Sequence, residues 1–290
     1  MMLNSQSLSK EQVLIVGCGD IGQRFARALS PDHYQVTGLR RSRSPDVDGL
    51  RFIVCDATDE NQLSAVIRAG HFAVILISMT PSERSDAGYE RAYLQTCRNV
   101  VAALAGHSHQ PRLVLFISST GVYGQNDGSW VDEQSPTNPD GFSGRRLLEA
   151  EACLQQADIA SLIARFSGIY GPGRRRLIAM VERGEGSFSG NISNRIHADD
   201  GAAALAYLVE QGRHKLPLQS VYLVTDSAPV AMHEVTQWLA ERLGSAQQAK
   251  AKDAGERGNK RCSNARLLAS GFQLRYPDYI AGYAALLALE

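Results

Sequence analysis

Short continuous apolar runs alternate with longer stretches in which apolar residues recur every three or four positions. The run Val13-Leu14-Ile15-Val16 ends in a cluster of glycines and reads as a buried strand. Similar runs predict strands at Tyr34 to Leu39, Arg51 to Val54, Phe72 to Ile77, Arg112 to Ile117 and Ile159 to Phe166. Between them the spacing is helical: Ile21, Phe25, Ala28 and Leu29 share one face, and helices are predicted over 61–69 and 142–156. A stripe of Tyr89, Ala92, Tyr93, Cys97, Val100, Val101 and Leu104 predicts a long helix from Ser85 to Ala105. Such a stripe needs an apolar surface to cover it. Strands that are apolar throughout, alternating with helices, indicate a parallel sheet with both faces covered. After Gly168 the pattern breaks into short elements, with helices near Asp200 to Glu210 and His233 to Leu243. The polar segment Gln247 to Lys260 reads as a mobile loop or linker, and helical periodicity returns from Ser263 to Leu289.

The glycines after the first strand form Gly17-Cys18-Gly19-Asp20-Ile21-Gly22, a Gly-x-Gly-x-x-Gly that leaves a strand and opens a helix. In that context Gly17 permits the tight turn, Gly19 lets a pyrophosphate approach the backbone, and Gly22 lets helix and strand pack closely. The helix start adds free N–H groups and partial positive charge. Gly17, Cys18, Gly19, Asp20, Ile21 and Gly22 are therefore candidate dinucleotide contacts. A carboxylate that would bind the ribose 2′-hydroxyl of NAD is missing where the second strand ends, at Leu39-Arg40-Arg41-Ser42-Arg43. Guanidinium groups suit the 2′-phosphate of NADP. Arg40 and Arg41 thus favour NADP, with NAD the alternative, and Asp56 after the third strand is a candidate adenine contact. Ser78, after the fourth strand, and Arg146, in the helix over 142–156, complete the cofactor candidates.

Composition narrows the setting. Lys plus Arg and Asp plus Glu number 30 each, so no global charge points to nucleic acid or an anionic membrane. Cys18, Cys55, Cys97, Cys153 and Cys262 are widely spaced, which argues for a reducing compartment and against a zinc ribbon or disulfide framework. No metal site is predicted, since no histidine partners His197 and Asp199 with ligand spacing. The first dozen residues lack an apolar signal core, and Phe72 to Ile77 is too short to span a bilayer. A cytoplasmic location is the expectation.

Further motifs follow in order. Ser118-Ser119-Thr120-Gly121-Val122-Tyr123-Gly124 comes after the fifth strand, Arg165-Phe166-Ser167-Gly168-Ile169-Tyr170-Gly171-Pro172-Gly173 after the sixth, and Asn194-Arg195-Ile196-His197-Ala198-Asp199-Asp200 later. Together with the glycine loop they resemble the extended short-chain dehydrogenase/reductases, the NAD(P)-dependent epimerases and dehydratases related to nucleoside-diphosphate-sugar epimerases. The tail Ser263-Asn264-Ala265-Arg266-Leu267 is similar to that family's end. The resemblance implies an α/β, doubly wound parallel-sheet Rossmann fold with a small C-terminal substrate lobe. The dinucleotide domain is expected over 10–168, with 196–225 returning to it, and the lobe over 169–195 and 226–290. It also implies that Ser119 hydrogen-bonds the substrate oxygen where charge develops.

The family's Tyr-x-x-x-Lys pair is missing. Its place reads Gly141-Phe142-Ser143-Gly144-Arg145-Arg146-Leu147, so the tyrosine position is Gly141, Phe142 or Ser143, and no lysine occurs between Lys10 and Lys215. Arg145 or Arg146 can restore the charge but not the geometry. Tyr123 and Tyr170 sit in loops after strands; either is a candidate proton donor or a packing residue, with Tyr123 the catalytic candidate beside Ser119. Tyr170, Arg174 and Arg195 are the substrate candidates, and the arginines suggest an anionic substrate. Two readings stand. One is an NADP-dependent oxidoreductase, epimerase or dehydratase acting on a nucleotide-linked or phosphorylated sugar. The other is a non-catalytic NADP-binding redox sensor or regulatory protein. A homodimer through the helices 85–105 and 142–156 is expected if their apolar faces are not taken up by the sheet.

Overall fold

The computed structural model describes residues 10–47, 49–186, 189–245 and 258–288. A glycine-rich turn joins Glu11–Val16 (β1) to Asp20–Ala28 (α1), followed by Tyr34–Arg40 (β2), Leu50–Val54 (β3), Glu60–Ala69 (α2) and Phe72–Ile77 (β4). The long predicted helix consists of Asp86–Tyr89 (α3), a π-helical stretch at Glu90–Gln95, and Thr96–Leu104 (α4). Leu113–Ser119 (β5) leads through a short 3-10 turn to Trp130–Val131 (β6) and Phe142–Gln155 (α5). Then come Ser161–Phe166 (β7), Gly168–Tyr170 (β8), Arg176–Glu182 (α6), Ile192–Ser193 (β9), Arg195–His197 (β10) and Ala198–Arg213 (α7). The chain continues with Val221–Val224 (β11), Val230–Ala231 (β12), Met232–Leu243 (α8), Arg261–Cys262 (β13), Ala265–Ala269 (α9) and Tyr279–Leu287 (α10).

The main sheet is parallel and seven-stranded, in the order β11-β7-β5-β4-β1-β2-β3. Chain order reverses between β1 and β4, which pair directly, so the expected doubly wound α/β Rossmann fold is present. The switch point lies at the carboxyl end of β1, where the glycine turn leaves the sheet. The six strands read from the sequence are all present. The pattern does not predict the seventh, β11, which lies beyond Gly168, where the alternation of strands and helices breaks into short elements.

By compactness the chain divides into two units. One comprises the residues up to Phe116 with Ala150–Leu162 and Leu208–Leu218; the other comprises Ile117–Glu149, Ile163–Tyr207 and Gln219–Glu290. In the first, Val13, Leu14, Ile15 and Val16 are wholly buried, as are Val74, Leu76 and Ile77 of β4. The helical stripe faces this sheet: Ala92, Cys97, Val100 and Leu104 are buried, and Tyr93 meets Phe116 edge-on at 6.1 Å. Most of the stripe behind the homodimer expectation is thus buried within the chain, while Tyr89, Tyr93 and Val101 are half-buried. Buried Asn99 also donates to the Ala57 carbonyl at 3.0 Å, tying α4 to the loop before α2.

The second unit adds three two-stranded pairs, β10 with β8, β12 with β9, and β13 with β6. Helices α6 and α8 and the C-terminal α10 enclose a core that includes Tyr170, Val181, Leu239 and Tyr283. Residues 246–257, most of the predicted linker, lie outside the described residues. The end of that predicted linker is not loose. Lys260 is buried, and residues 258–263 run beside the loop before and through β6, where the Gly128 amide donates to the Asn259 carbonyl at 2.7 Å and the Ser263 amide to the Val131 carbonyl at 2.9 Å.

A single position in β2 tests how tightly the turn is seated. A Cβ on Gly38 would lie 2.7 Å from both Cβ and Sγ of Cys18 and 3.1 Å from the Phe52 ring. Gly38→Ala is expected to lower stability by about 1–3 kcal/mol, the usual cost of overpacking. Cys18→Gly in the same chain should recover part of that loss. Thermal unfolding of the single and double variants checks this; a Gly38→Ala protein as stable as wild type would show the approach to be slack.

Candidate functional site

The first unit carries the glycine turn. Gly17 has φ +80°, and a Cβ there would meet the Met79 sulfur at 2.6 Å and the Ser78 carbonyl at 2.9 Å, so conformation and space both demand glycine. Ser78 itself is tied to β1 by its amide, which donates to the Val16 carbonyl at 2.8 Å. Around Gly19 the situation is opposite: a Cβ would meet nothing within 4 Å. The turn is tight where protein backs it and open where a ligand would come. Gly19 caps α1 without any side-chain acceptor, so the first-turn amides of Ile21 and Gly22 have no partner within the helix. Asp20, in that turn, binds Arg24 at 2.8 Å. Burial pushes the Cys18 thiol up to about 11, which keeps it protonated and inert at neutral pH. An open backbone surface with unpaired donors fits the pyrophosphate of a dinucleotide.

Arg40 is fixed against this turn. Its Nε donates to the Cys18 carbonyl at 2.8 Å, its Nη1 to Ser44 Oγ at 2.5 Å, and its guanidinium lies 4.9 Å from the Phe52 ring centre. Arg41 is exposed beside it. Asp56 accepts the amide and hydroxyl of Thr58 on Oδ1, at 3.0 and 2.8 Å, an arrangement that shapes the loop before α2.

The second unit carries the Ser119 loop. Ser119 Oγ accepts the Gly121 amide at 3.0 Å, which leaves its O–H directed elsewhere and able to donate. Tyr123 is buried, and its hydroxyl accepts from Arg165 Nη1 at 2.8 Å while the same guanidinium lies over its ring. Burial pushes the Tyr123 phenol up to about 12 against the opposing pull of Arg165, so it holds its proton firmly. On α5, Gly141 precedes the helix, Phe142 and Ser143 open it, and Arg146 pairs with Glu149 at 2.9 Å one turn on.

Of the substrate candidates, Arg174 is exposed, whereas Tyr170 and Arg195 are buried. Tyr170 donates to the Asp278 carbonyl at 3.4 Å and packs on Tyr283 and edge-on to His197. Arg195 donates through Nη2 to the Met232 sulfur at 3.2 Å; its Nη1 is buried without a partner among the described residues. Close in the same interior, Asp226 accepts the Ala228 amide at 3.2 Å on Oδ1, while its buried Oδ2 also has no partner there. Burial raises the Asp226 carboxyl to about 7, although Arg195 pulls it down. Asp200 is likewise raised by burial despite accepting the Arg275 and Tyr276 amides. Sequence reading overlooked Asp226, Arg165 and Lys260. An isolated acid, a strand arginine and a lysine in a polar tail carry no spacing signal.

The family model for the NAD-dependent epimerase/dehydratase family matches residues 13–221. The chain belongs to that family. Among solved structures, a protein from Methylobacillus flagellatus assigned to the NAD-dependent epimerase/dehydratases shares 44% identity at a TM-score of 0.81, covering 97% of this chain and 99% of that one. The enzyme WbmG of Bordetella bronchiseptica, seen in complex with NAD and UDP, has the same fold at a TM-score of 0.78 and 16% identity, covering 96% of this chain and 94% of that one. A Streptomyces protein, 3-diazoavenalumate denitrifying reductase, is 26% identical over 261 residues, 81% of this chain and 82% of that protein. Membership bears out the expected family, and with it a dinucleotide-dependent fold. Among the described residues no helix is long and apolar enough to cross a membrane.

The buried acid gives a pH signature. A carboxyl whose folded-state pKa is raised binds its proton more tightly in the native state, so stability from this group is full below its unfolded value near 4 and is lost as pH rises toward about 7. Each tenfold difference in proton affinity between the folded and unfolded states is worth about 1.4 kcal/mol. Asp226→Asn should therefore flatten the fall in stability between pH 4.5 and 7.5 relative to wild type. Urea unfolding at several pH values in that window checks it, and parallel wild-type and variant curves would refute it.

Proposed function

We propose that this family member is an NADP(H)-dependent oxidoreductase or epimerase/dehydratase acting on an anionic, nucleotide-linked or phosphorylated sugar. The observation that carries the cofactor choice is Arg40, anchored by the Cys18 carbonyl of the glycine turn with Arg41 exposed beside it and no carboxylate at the end of β2. A guanidinium already oriented loses little freedom on meeting a 2′-phosphate. Gly17 to Gly22, with Asp56 and Ser78, form the rest of the dinucleotide-binding set in this reading, and Arg146 takes the place of the family's lysine. NADPH supplies the hydride when bound. Ser119 donates its hydroxyl to the substrate oxygen. Tyr123, held by Arg165, steadies the loop that carries Ser119 more than it supplies a proton. Arg174 offers an exposed charge to an anionic substrate, while Tyr170 and Arg195 shape the interior behind it. The Streptomyces relative, named as a reductase, supports hydride transfer as the chemistry. The domain boundaries of this reading are the Rossmann segment 10–168 with 196–225, and a substrate lobe of 169–195 and 226–290.

The missing tyrosine and lysine favour a second reading, an NADP-binding redox sensor without turnover. Phe142 and Ser143 offer no acid of useful pKa, and the loss of general acid help is worth about 10²–10⁴ in rate.

Two experiments separate these outcomes. Calorimetric titration should give NADPH an advantage of about ten- to a hundredfold over NADH, the worth of one charge-assisted contact, and Arg40→Ala should remove most of it. Equal affinities in the wild type would end the NADP assignment. With a panel of nucleotide sugars, wild-type turnover should be slow and fall further in Ser119→Ala. The pairs Phe142→Tyr with Arg146→Lys, and Ser143→Tyr with Leu147→Lys, rebuild the lost acid in either register and should raise it. Tight NADPH binding with no turnover in any of these proteins would favour the sensor.

A further inference from the structure

Lys260 has two features that a linker residue lacks. It is only 7% exposed, and its ammonium donates to the Tyr123 carbonyl at 3.0 Å. Among the described residues it makes no ion pair. A buried ammonium with a single backbone acceptor is costly, and an apolar side chain could fill the same space without that cost.

The surroundings say what it holds. Residues 258–263 are locked on both sides within the second unit. On one side the Asn259 amide donates to Asn126 Oδ1 at 2.8 Å, and the Arg261 amide to the Ser129 carbonyl at 2.8 Å. On the other, Asn194 Nδ2 donates to the Lys260 carbonyl at 2.9 Å and Asn194 Oδ1 accepts the Cys262 amide at 2.8 Å. The backbone bonds of this strap reach only the chain from Asn126 onward. One side chain of the strap extends further back: Lys260, which reaches Tyr123. Tyr123 is gripped at its other end by Arg165. The segment carrying Ser119 is thus tied through Lys260 to a strap hydrogen-bonded on both sides.

We propose that Lys260 is a positioning residue which, as an ammonium ion, clamps the Tyr123 carbonyl and so fixes the loop that carries Ser119. This rests on the reading of Ser119 as the residue that contacts substrate, but the clamp is measurable without any substrate. The ionisable and charged groups around it are Cys262, whose thiol burial raises to about 11, Tyr123, whose phenol burial raises to about 12, Arg165 and Glu133. Lys260 is shifted the other way, its amine lowered by burial below its ordinary 10.5. Loss of that proton takes the charge from the clamp.

Hydrogen exchange of the amides from Ser118 to Gly124, corrected for chemical exchange rates, tests this on the full chain. Lys260→Met should lower protection about ten- to a hundredfold relative to wild type at pH 7, the worth of a charge-assisted bond. Lys260→Arg, which keeps the charge, should retain the wild-type protection. Equal protection in wild type and Lys260→Met overturns the clamp. If Lys260→Met does not fold, Lys260→Gln takes its place, and protection equal to wild type overturns the clamp instead. An inert Ser119→Ala substitution would count against the catalytic reading alone, and unchanged protection against the clamp alone.

Discussion

The seating of the Cys18 peptide against β2 governs the dinucleotide end of the molecule. The Cys18 amide donates to the Leu39 carbonyl at 2.9 Å, and its carbonyl accepts from Arg40 at 2.8 Å. That contact exists only because Gly38 presents no Cβ to the cysteine side chain. With the peptide held there, Gly17 must turn left-handed, Ser78 and Met79 close behind it, and the open side of the turn falls at Gly19. One close approach thus decides where the backbone donors of α1 point. It also orients a guanidinium whose charge the 2′-phosphate of a dinucleotide could use. The cost is steric intolerance: the residues that make the site are those that leave no room.

The second unit organises its candidate chemistry around buried cations. Arg165 and Lys260 hold Tyr123 by its hydroxyl and its carbonyl. Arg195 lies in an interior that also contains Asp226, and each of the two has one buried polar atom with no protein partner among the described residues. Buried charge costs desolvation and returns fixed geometry, because a charge-assisted bond in a medium of low polarisability resists rearrangement. Ser119 keeps a donor hydroxyl because its oxygen is already engaged by the Gly121 amide.

Local patterning determined much of this protein from the sequence alone. Apolar runs located six of the seven main-sheet strands, since buried parallel strands need continuous apolar residues. The glycine spacing identified the turn after β1, because only glycine tolerates both the backbone conformation of Gly17 and the contacts behind it. The motif order from residue 13 to 200 was enough for the family. Tertiary structure alone decided the roles that depend on partners distant in the chain. Tyr123, an acid or, more often for such a motif, a packing residue, is held in the interior by an arginine 42 positions away. Of the stripe on the helix over 85–105, a dimer face or a core face by its pattern, Ala92, Cys97, Val100 and Leu104 are buried within the chain. Lys260, read as part of a polar linker, is buried against a carbonyl 137 positions back. Periodicity reports which face of an element is apolar. It cannot report which remote group meets a polar side chain, and for buried charges that meeting decides both energy and function.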